Sequence, residues 1–255
     1  MKLFFTKTMV ILAIGLLLAS CSSDDDNTNI TGTGTLGVEF DNAFGSNDLI
    51  LNAANTATSN GEVLKVSNVK YIVSNIVLTK DDGATFTYPK GESYFIIDES
   101  DETSLVLDLE DVPAANYVKI KFGIGVDEAN YNLGQTAQSA FALQAQSAGL
   151  LPSWEEGYKF LDVEGTFTAS NYPEATPFLI MIGKTPANYN YKEITLNLPT
   201  KALVRTNIAP EIHIVADVSK LIDGMNKISL TNAVNIGLVT QNLDGVFSVA
   251  HVHND

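Results

Sequence analysis

Alternation of apolar and polar residues is the feature that most limits how this chain can fold. The clearest example is the segment YVKIKFGIGV (117–126), in which the valine, isoleucine and phenylalanine residues recur at every second position. Successive side chains of a β-strand point to opposite faces, so this spacing predicts a strand with one buried face. Tyr117, Lys119 and Lys121 are predicted to lie on the other face.

The same period of two recurs along most of the chain after residue 33. It is present in TLGVEF (35–40), VKYIVSNIVL (69–78), ITLNL (194–198) and EIHIVA (211–216). Turn sequences such as KDDGA and KTPANYN separate these segments. Many short strands without regular strand–helix alternation predict an all-β fold, an antiparallel β-sandwich of Greek-key-like type. The segment 135–150, rich in alanine and glutamine, predicts one short helical or loop insertion.

The first twenty residues predict a lipoprotein signal peptide. Lys2 and Lys7 precede the apolar run MVILAIGLLL (9–18), which is too short to span a bilayer comfortably and is followed by Leu-Ala-Ser-Cys. This LASC sequence resembles a bacterial lipobox, which implies cleavage before Cys21 and attachment of lipid to it. Cys21 is the single cysteine of the chain, so it has no disulfide partner. An ordinary secretory signal with an incidental cysteine is the alternative.

Residues 21–33 are predicted to form a disordered tether in front of a single domain at 34–255. The sequence SSDDDNTNITGTGT is polar and cannot bury enough apolar surface to fold. Its three consecutive aspartates resemble the surface-export signal of Bacteroidota lipoproteins, although a solvated spacer would have the same composition. These features predict an outer membrane lipoprotein that faces either the periplasm or the cell surface.

The net charge of the chain disfavours one class of partner. The chain has 15 basic and 30 acidic residues, a net charge of −15, and removal of Lys2 and Lys7 with the leader makes it −17. Such a surface repels nucleic acid and anionic lipid. We therefore expect no nucleic-acid partner, and contact with the membrane through the N-terminal lipid only.

Signatures of the common enzyme classes are missing from the sequence. It contains no H-E-x-x-H, G-x-S-x-G, P-loop or Rossmann motif, and a cysteine committed to lipid cannot act as a nucleophile. The protein is therefore predicted not to be an enzyme. A glycoside hydrolase with two dispersed carboxylates is a remaining alternative.

A tryptophan motif marks the centre of the domain. The segment LPSWEEGYKFLDVEG (151–165) contains the single tryptophan, Trp154, in the pattern W-x-x-G-Y-x-F-x-x-x-E-G. Around it stand, in order, GVEFDNAFG, VLKVSNVKYIVSNIVLTKDDG, YFIIDES, DVPAANYVKIKFGIGVD and FSVAHVHN. This ordered set resembles the MbnP-like family over about residues 34–255. The resemblance implies an exported β-sandwich that binds copper, in some members beside a tryptophan that a dihaem peroxidase-like partner oxidises to kynurenine.

The resemblance also assigns residues to the implied copper site. Trp154 matches the motif tryptophan, and His251 and His253 match the C-terminal histidines. Met181 stands where many members have a histidine before Ile-Gly, and Asn42 stands where some members have another. The implied metal site is therefore altered, with His251, His253 and Met181 as ligands and Trp154 as a modified or redox residue.

The two C-terminal histidines can also be placed from the residues themselves. On a regular strand His251 and His253 share the face of Phe247 and Val249, so their imidazoles could converge on one copper or zinc ion. The alternative is an exposed strand end with solvated histidines. His213 lies between two isoleucines, on the face opposite to theirs, which predicts a surface histidine.

Other donors would change the ion that such a site prefers. The Met181 thioether suits copper(I), whereas Glu155 or Glu156 beside Trp154 suits a harder ion. The acidic segments DESDETS and TKDDG are a weaker hypothesis for calcium, because neither has the ligand spacing of an EF-hand. Trp154 could instead only pack a loop onto the sandwich.

These observations support two hypotheses about function. The first is a lipid-anchored, exported protein that binds copper without catalysing a reaction. The alternative is a metal-independent module on the envelope surface that holds a glycan or a protein through its loops.

Overall fold

The structure of the protein is a computed structural model that describes residues 30–255. The predicted signal peptide, Cys21 and nearly all of the predicted tether lie outside the described residues. Within the described range, no helix is long and apolar enough to cross a membrane.

Strands dominate the described part of the chain. They are β1 (Thr33–Phe44), β2 (Asn47–Asp48), β3 (Val63–Lys80), β4 (Thr85–Thr87), β5 (Tyr94–Asp98), β6 (Val106–Pro113), β7 (Ala115–Ile124), β8 (Lys159–Ala169), β9 (Tyr172–Gly183), β10 (Lys192–Val204), β11 (Glu211–Asp217) and β12 (Phe247–His253). The α-helices are α1 (Glu128–Tyr131), α2 (Ser139–Ser147), α3 (Lys220–Asp223) and α4 (Ile236–Asn242). A 3-10 turn at Gln135–Gln138 leads into α2, so the predicted insertion at 135–150 is helical.

The strands form two packed sheets, which confirms the predicted all-β sandwich. A five-stranded sheet has the order β12-β11-β1-β2, with β6 also paired to β1, and a seven-stranded sheet has the order β10-β7-β3-β8-β9, with β4 and β5 also paired to β3. One pair departs from the antiparallel prediction, because β1 and β11 are parallel. Parallel neighbours need a long connection, and here most of the sandwich lies between the two strands in sequence.

Four aromatic side chains join the two sheets. Phe40 of β1 and Phe247 of β12 meet Tyr71 of β3 and Phe122 of β7 inside the sandwich, and none of the four is more than 4% exposed. Their rings make edge-to-face contacts with centroids 5.4–6.4 Å apart. Such pairs add to the free energy that burial of the rings supplies. The cluster therefore ties both β1 and β12 to the opposite sheet.

The prediction that Tyr117 lies on the polar face of its strand is wrong. Thr79 pairs with Lys119 and Lys80 pairs with Tyr117, so Val118 is an extra residue in β7. A bulge of this kind shifts the alternation of faces by one residue. Tyr117 is consequently buried, and its hydroxyl donates to the Pro113 carbonyl oxygen at 2.8 Å.

Asp127, immediately before α1, fastens the loop after β7 to two other segments. Its carboxylate accepts hydrogen bonds from Asn75 Nδ2, Lys90 Nζ, Tyr94 OH and the Asn130 backbone N–H, at 2.9–3.0 Å. Burial raises the pKa of Asp127, but these hydrogen bonds lower it more, so the pKa lies below its ordinary value. The charged form of Asp127 therefore stabilises the folded state.

Replacement Asp127→Asn is expected to lower the free energy of unfolding at pH 7 by about 1–3 kcal/mol. A carboxyl group with a lowered folded-state pKa stabilises above its unfolded pKa and loses that effect as pH falls through the folded pKa. The difference between wild type and variant should therefore shrink below about pH 4. Urea unfolding between pH 7 and pH 3 measures it. The exposed Asp244→Asn variant is the control, and a pH-independent difference would contradict the assignment.

Candidate metal centre

The candidate centre lies on the outer face of the five-stranded sheet, where β11 and β12 run side by side. Along β11, Ile212, Ile214 and Ala216 are buried in the sandwich, whereas Glu211 and His213 lie on the other face. The face predicted for His213 from the alternation is therefore correct. His213 is not isolated there, because its partner across the ladder is His251.

A β-bulge in β12 turns the two C-terminal histidines outward. His213 pairs with His251 and Ile214 pairs with Val249, which leaves Ala250 as an extra residue. Phe247 and Val249 pack against the core, whereas His251 and His253 are exposed. The prediction that all four residues share one face is thus wrong, because the bulge shifts the alternation after Val249.

The three imidazoles converge on the outer face. Ring centroids of His213 and His251 are 4.1 Å apart and stacked, those of His251 and His253 are 4.6 Å apart, and those of His213 and His253 are 5.0 Å apart. One nitrogen from each ring lies within 4.8 Å of the other two. Nitrogen ligands about 2.0–2.1 Å from one tetrahedral ion are about 3.3 Å apart. Small rotations of the exposed rings would therefore bring the three nitrogens to the spacing that one ion requires.

Two carboxylates hold His213 from either side. Its Nδ1 contacts Glu39 Oε2, and its Nε2 lies 2.8 Å from Glu211 Oε1. The approach of Glu211 lacks the alignment of a hydrogen bond, so Nε2 is a buried polar atom without a hydrogen-bond partner in the described part of the molecule. Such atoms are rare in folded proteins, and a bound cation is one way to satisfy them.

Strand register arranges these side chains in two rows. Glu39, His213 and His251 are cross-strand neighbours on β1, β11 and β12, and Gly37, Glu211 and His253 form the next row. A Cβ atom at Gly37 would stand 3.1 Å from the Glu211 Cγ. The glycine therefore leaves room for the Glu211 side chain beside the histidines.

The electrostatic surroundings of the histidines are acidic. Glu39, Asp41, Asp108 and Glu211 lie on the outer face of this sheet, and no lysine or arginine pairs with any of them among the described residues. Burial raises the pKa of Asp41 and the nearby Asp48 charge raises it further, while His213 lowers it. Uncompensated carboxylates of this kind raise the local concentration of cations.

Met181, the third ligand predicted from the resemblance, lies elsewhere. It belongs to β9 of the seven-stranded sheet, where it pairs with Asp162. Its side chain lines a small cavity together with Pro152, Tyr158 and Lys184, and no histidine lines that cavity. The structure thus does not bring Met181 together with His251 and His253, and His213 stands beside them instead.

Trp154 packs in an aromatic cluster and not beside the histidines. Its indole stacks on the Tyr131 ring at 4.7 Å and meets Tyr158 edge-to-face at 6.0 Å. The Tyr131 hydroxyl donates to the Trp154 carbonyl oxygen at 2.7 Å. Glu155 and Glu156 are exposed on the same loop. These contacts match the packing role considered for Trp154, and its oxidation stays a prediction.

Asn42 and the acidic turn after β5 have structural partners. Asn42 is buried, donates to Glu99 Oε2 at 2.9 Å and accepts from the Tyr71 hydroxyl. In the turn, Asp98 accepts from Ser100, and Asp101 accepts from the Thr103 N–H. The carboxylate oxygens that the calcium hypothesis needs in this segment therefore already accept hydrogen bonds within the turn. Calcium binding itself stays a prediction.

The fold and the cluster define a β-sandwich with a candidate transition-metal centre on one outer face. The model of the MbnP family matches residues 33–241, so the chain belongs to the MbnP family. The matched range ends before β12 and does not include His251 or His253. A comparison with curated proteins yields no significant match. Among solved structures, MbnP from Methylosinus trichosporium aligns over 77% of this chain and 80% of its own, with 12% identity and a TM-score of 0.46.

Proposed function

We propose that this protein is a non-catalytic metal-binding protein that holds a copper ion at His213, His251 and His253. The observation that carries the proposal is the convergence of three imidazoles on one outer face, one of which, His213, has a buried Nε2 that lacks a hydrogen-bond partner. Membership of the MbnP family supports copper as the ion. Neutral imidazole is a common ligand of copper and zinc.

The surroundings of the three rings fit an ion that is bound and released. His251 and His253 are exposed and His213 is one-fifth exposed, so the ion would lie at the surface of the sheet. The strand end that carries them is anchored, because Asn254 accepts from the Leu203 N–H at 2.7 Å and donates to the Lys201 carbonyl oxygen at 3.0 Å. A surface ion on an anchored strand is accessible to a donor or an acceptor without unfolding of the site.

The cellular setting that we propose rests on the leader sequence and on the family resemblance. Cys21 would carry a lipid, and the domain would then be tethered to the outer membrane, facing the periplasm or the cell surface. The partner that we propose is a dihaem peroxidase-like protein that oxidises Trp154. Intact-mass measurement of protein from its own host tests both modifications, since lipidation and tryptophan oxidation each change the mass.

Replacement His213→Ala is expected to weaken copper(II) binding by about 10–100-fold while the fold is retained. The reason is that His251 and His253 alone offer two exposed nitrogens, too few to saturate the ion. Isothermal titration of the soluble domain with copper(II) measures the change. Ser248→Ala, on the same face of β12, is the control. Wild-type affinity in the His213→Ala variant would show that His213 is not a ligand, and absence of binding by the wild type would favour the metal-independent alternative.

A further inference from the structure

Glu211 is the carboxylate that approaches the three histidines from β11. Its Oε1 lies 2.8 Å from His213 Nε2, and its cross-strand neighbour on β12 is His253. The side chain is partly exposed, at 38%, and it occupies the space that a side chain at position 37 would need, which Gly37 leaves open to it. No lysine or arginine pairs with Glu211 among the described residues.

The separation between these two atoms matches that of two ligands of one ion. With metal–nitrogen and metal–oxygen bonds of about 2.0 Å, adjacent ligands are about 2.8 Å apart at a right angle and about 3.3 Å apart in a tetrahedron. Glu39, Glu211 and His213 form a second group of possible ligands that shares His213 with the three histidines. Rotation of the Glu211 side chain about its own bonds would bring an oxygen to the shared ion.

We infer that Glu211 is the fourth ligand of the copper ion, an inference that rests on the proposed function. A site of three imidazoles and one carboxylate would then bind copper(II) more tightly than copper(I). A carboxylate oxygen is a hard donor, which favours a divalent ion, whereas copper(I) prefers thiolate or thioether sulfur. Met181 lies on the other sheet, so the set contains no sulfur donor. Adjacent nitrogen and oxygen ligands at right angles are typical of tetragonal copper(II).

Glu39 has a different part in this arrangement. It contacts Nδ1 of His213, on the ring edge away from Nε2, and it is held beside His213 by the β1–β11 pairing. A carboxylate on the second nitrogen fixes the tautomer and the orientation of a metal-binding histidine. Glu39 is therefore a positioning residue for Nε2 and not a ligand.

The test compares copper(II) and copper(I) affinities of the wild type, Glu211→Gln and Asp108→Asn. Asp108 is an exposed acid on β6 of the same sheet, opposite Gly37, so its replacement removes the same charge without removing a ligand. Copper(II) is measured by competition with a chelator, and copper(I) by competition with a colorimetric copper(I) chelator under reducing conditions. Electron paramagnetic resonance of the copper(II) forms reports whether water replaces the Glu211 carboxylate oxygen as a ligand in Glu211→Gln.

We expect Glu211→Gln to lower copper(II) affinity by about 10–100-fold, to change copper(I) affinity by less than about threefold, and to alter the copper(II) spectrum. Asp108→Asn removes a nearby charge but no ligand, so it should change both affinities by less than about threefold and leave the copper(II) spectrum unchanged. Equal loss for both ions, or an equal effect of Asp108→Asn, would overturn the inference in favour of general electrostatics. Copper(II) binding that depends on the histidines but not on Glu211 would overturn this inference alone. No binding by the wild type would overturn the proposed function as well.

Discussion

The double replacement His251→Ala/His253→Ala is expected to lower copper(II) affinity by more than about a hundredfold. It removes two of the three nitrogens that converge on the outer face and leaves His213 with Glu39 and Glu211. One imidazole binds copper(II) too weakly to compete with water, even with carboxylates nearby. The loss should therefore exceed that of His213→Ala, and the nitrogen couplings of two of the three rings should disappear from the electron paramagnetic resonance spectrum.

The expected effect is local, because His251 and His253 are exposed on the outer face of the sheet. Unfolding midpoints of wild type and double variant without metal should agree, whereas added copper(II) should stabilise the wild type alone. The Ser248→Ala variant controls for changes to the outer face of β12. Undiminished binding by the double variant would exclude His251 and His253 as ligands.

Replacement Phe40→Ala is expected to destabilise the fold by about 3–5 kcal/mol. Phe40 is 1% exposed and makes edge-to-face contacts with Tyr71, Phe122 and Phe247. Truncation removes a buried ring, leaves a cavity between the sheets and loses three aromatic pairs at once. Because Phe247 begins β12, the cavity would also loosen the strand that carries His251 and His253.

Urea unfolding at pH 7 measures this loss, and the exposed Leu143→Ala variant, whose side chain is 64% accessible, is the matched control. The control should change the free energy of unfolding by less than about 0.5 kcal/mol. A loss below about 1 kcal/mol for Phe40→Ala would contradict the view that this aromatic cluster joins the sheets.

Much of the fold could be predicted because strand faces are encoded locally. The period of two in EIHIVA places three buried side chains and His213 on opposite faces, and the structure agrees. The prediction fails at Tyr117 and at His251, where Val118 and Ala250 are extra residues. Nothing in the local pattern marks either bulge, since which residue is left unpaired depends on the partner strand.

Only part of the candidate site could be predicted from the sequence. His251 and His253 stand two residues apart, so a shared face follows from the strand geometry alone. His213 was missed as a member of the group, although a glutamate two residues before it and its place opposite the buried isoleucines were available as weak signals. The family pattern points to Met181 in its place, because a position in that pattern does not report which sheet a strand joins.

By itself, the sequence determined the class of fold, the face of β11 that carries His213, and the spacing that keeps His251 and His253 together, because each of these depends on neighbours within a few residues. Only the tertiary structure decided that β11 lies between β1 and β12, that β1 is parallel to it, and that Glu39, Glu211 and three histidines meet on one outer face. The physical reason is that strand pairing and register are set by long-range burial of the core faces. The outer-face side chains that form the site have no part in that burial, so their meeting cannot be read from their own sequence.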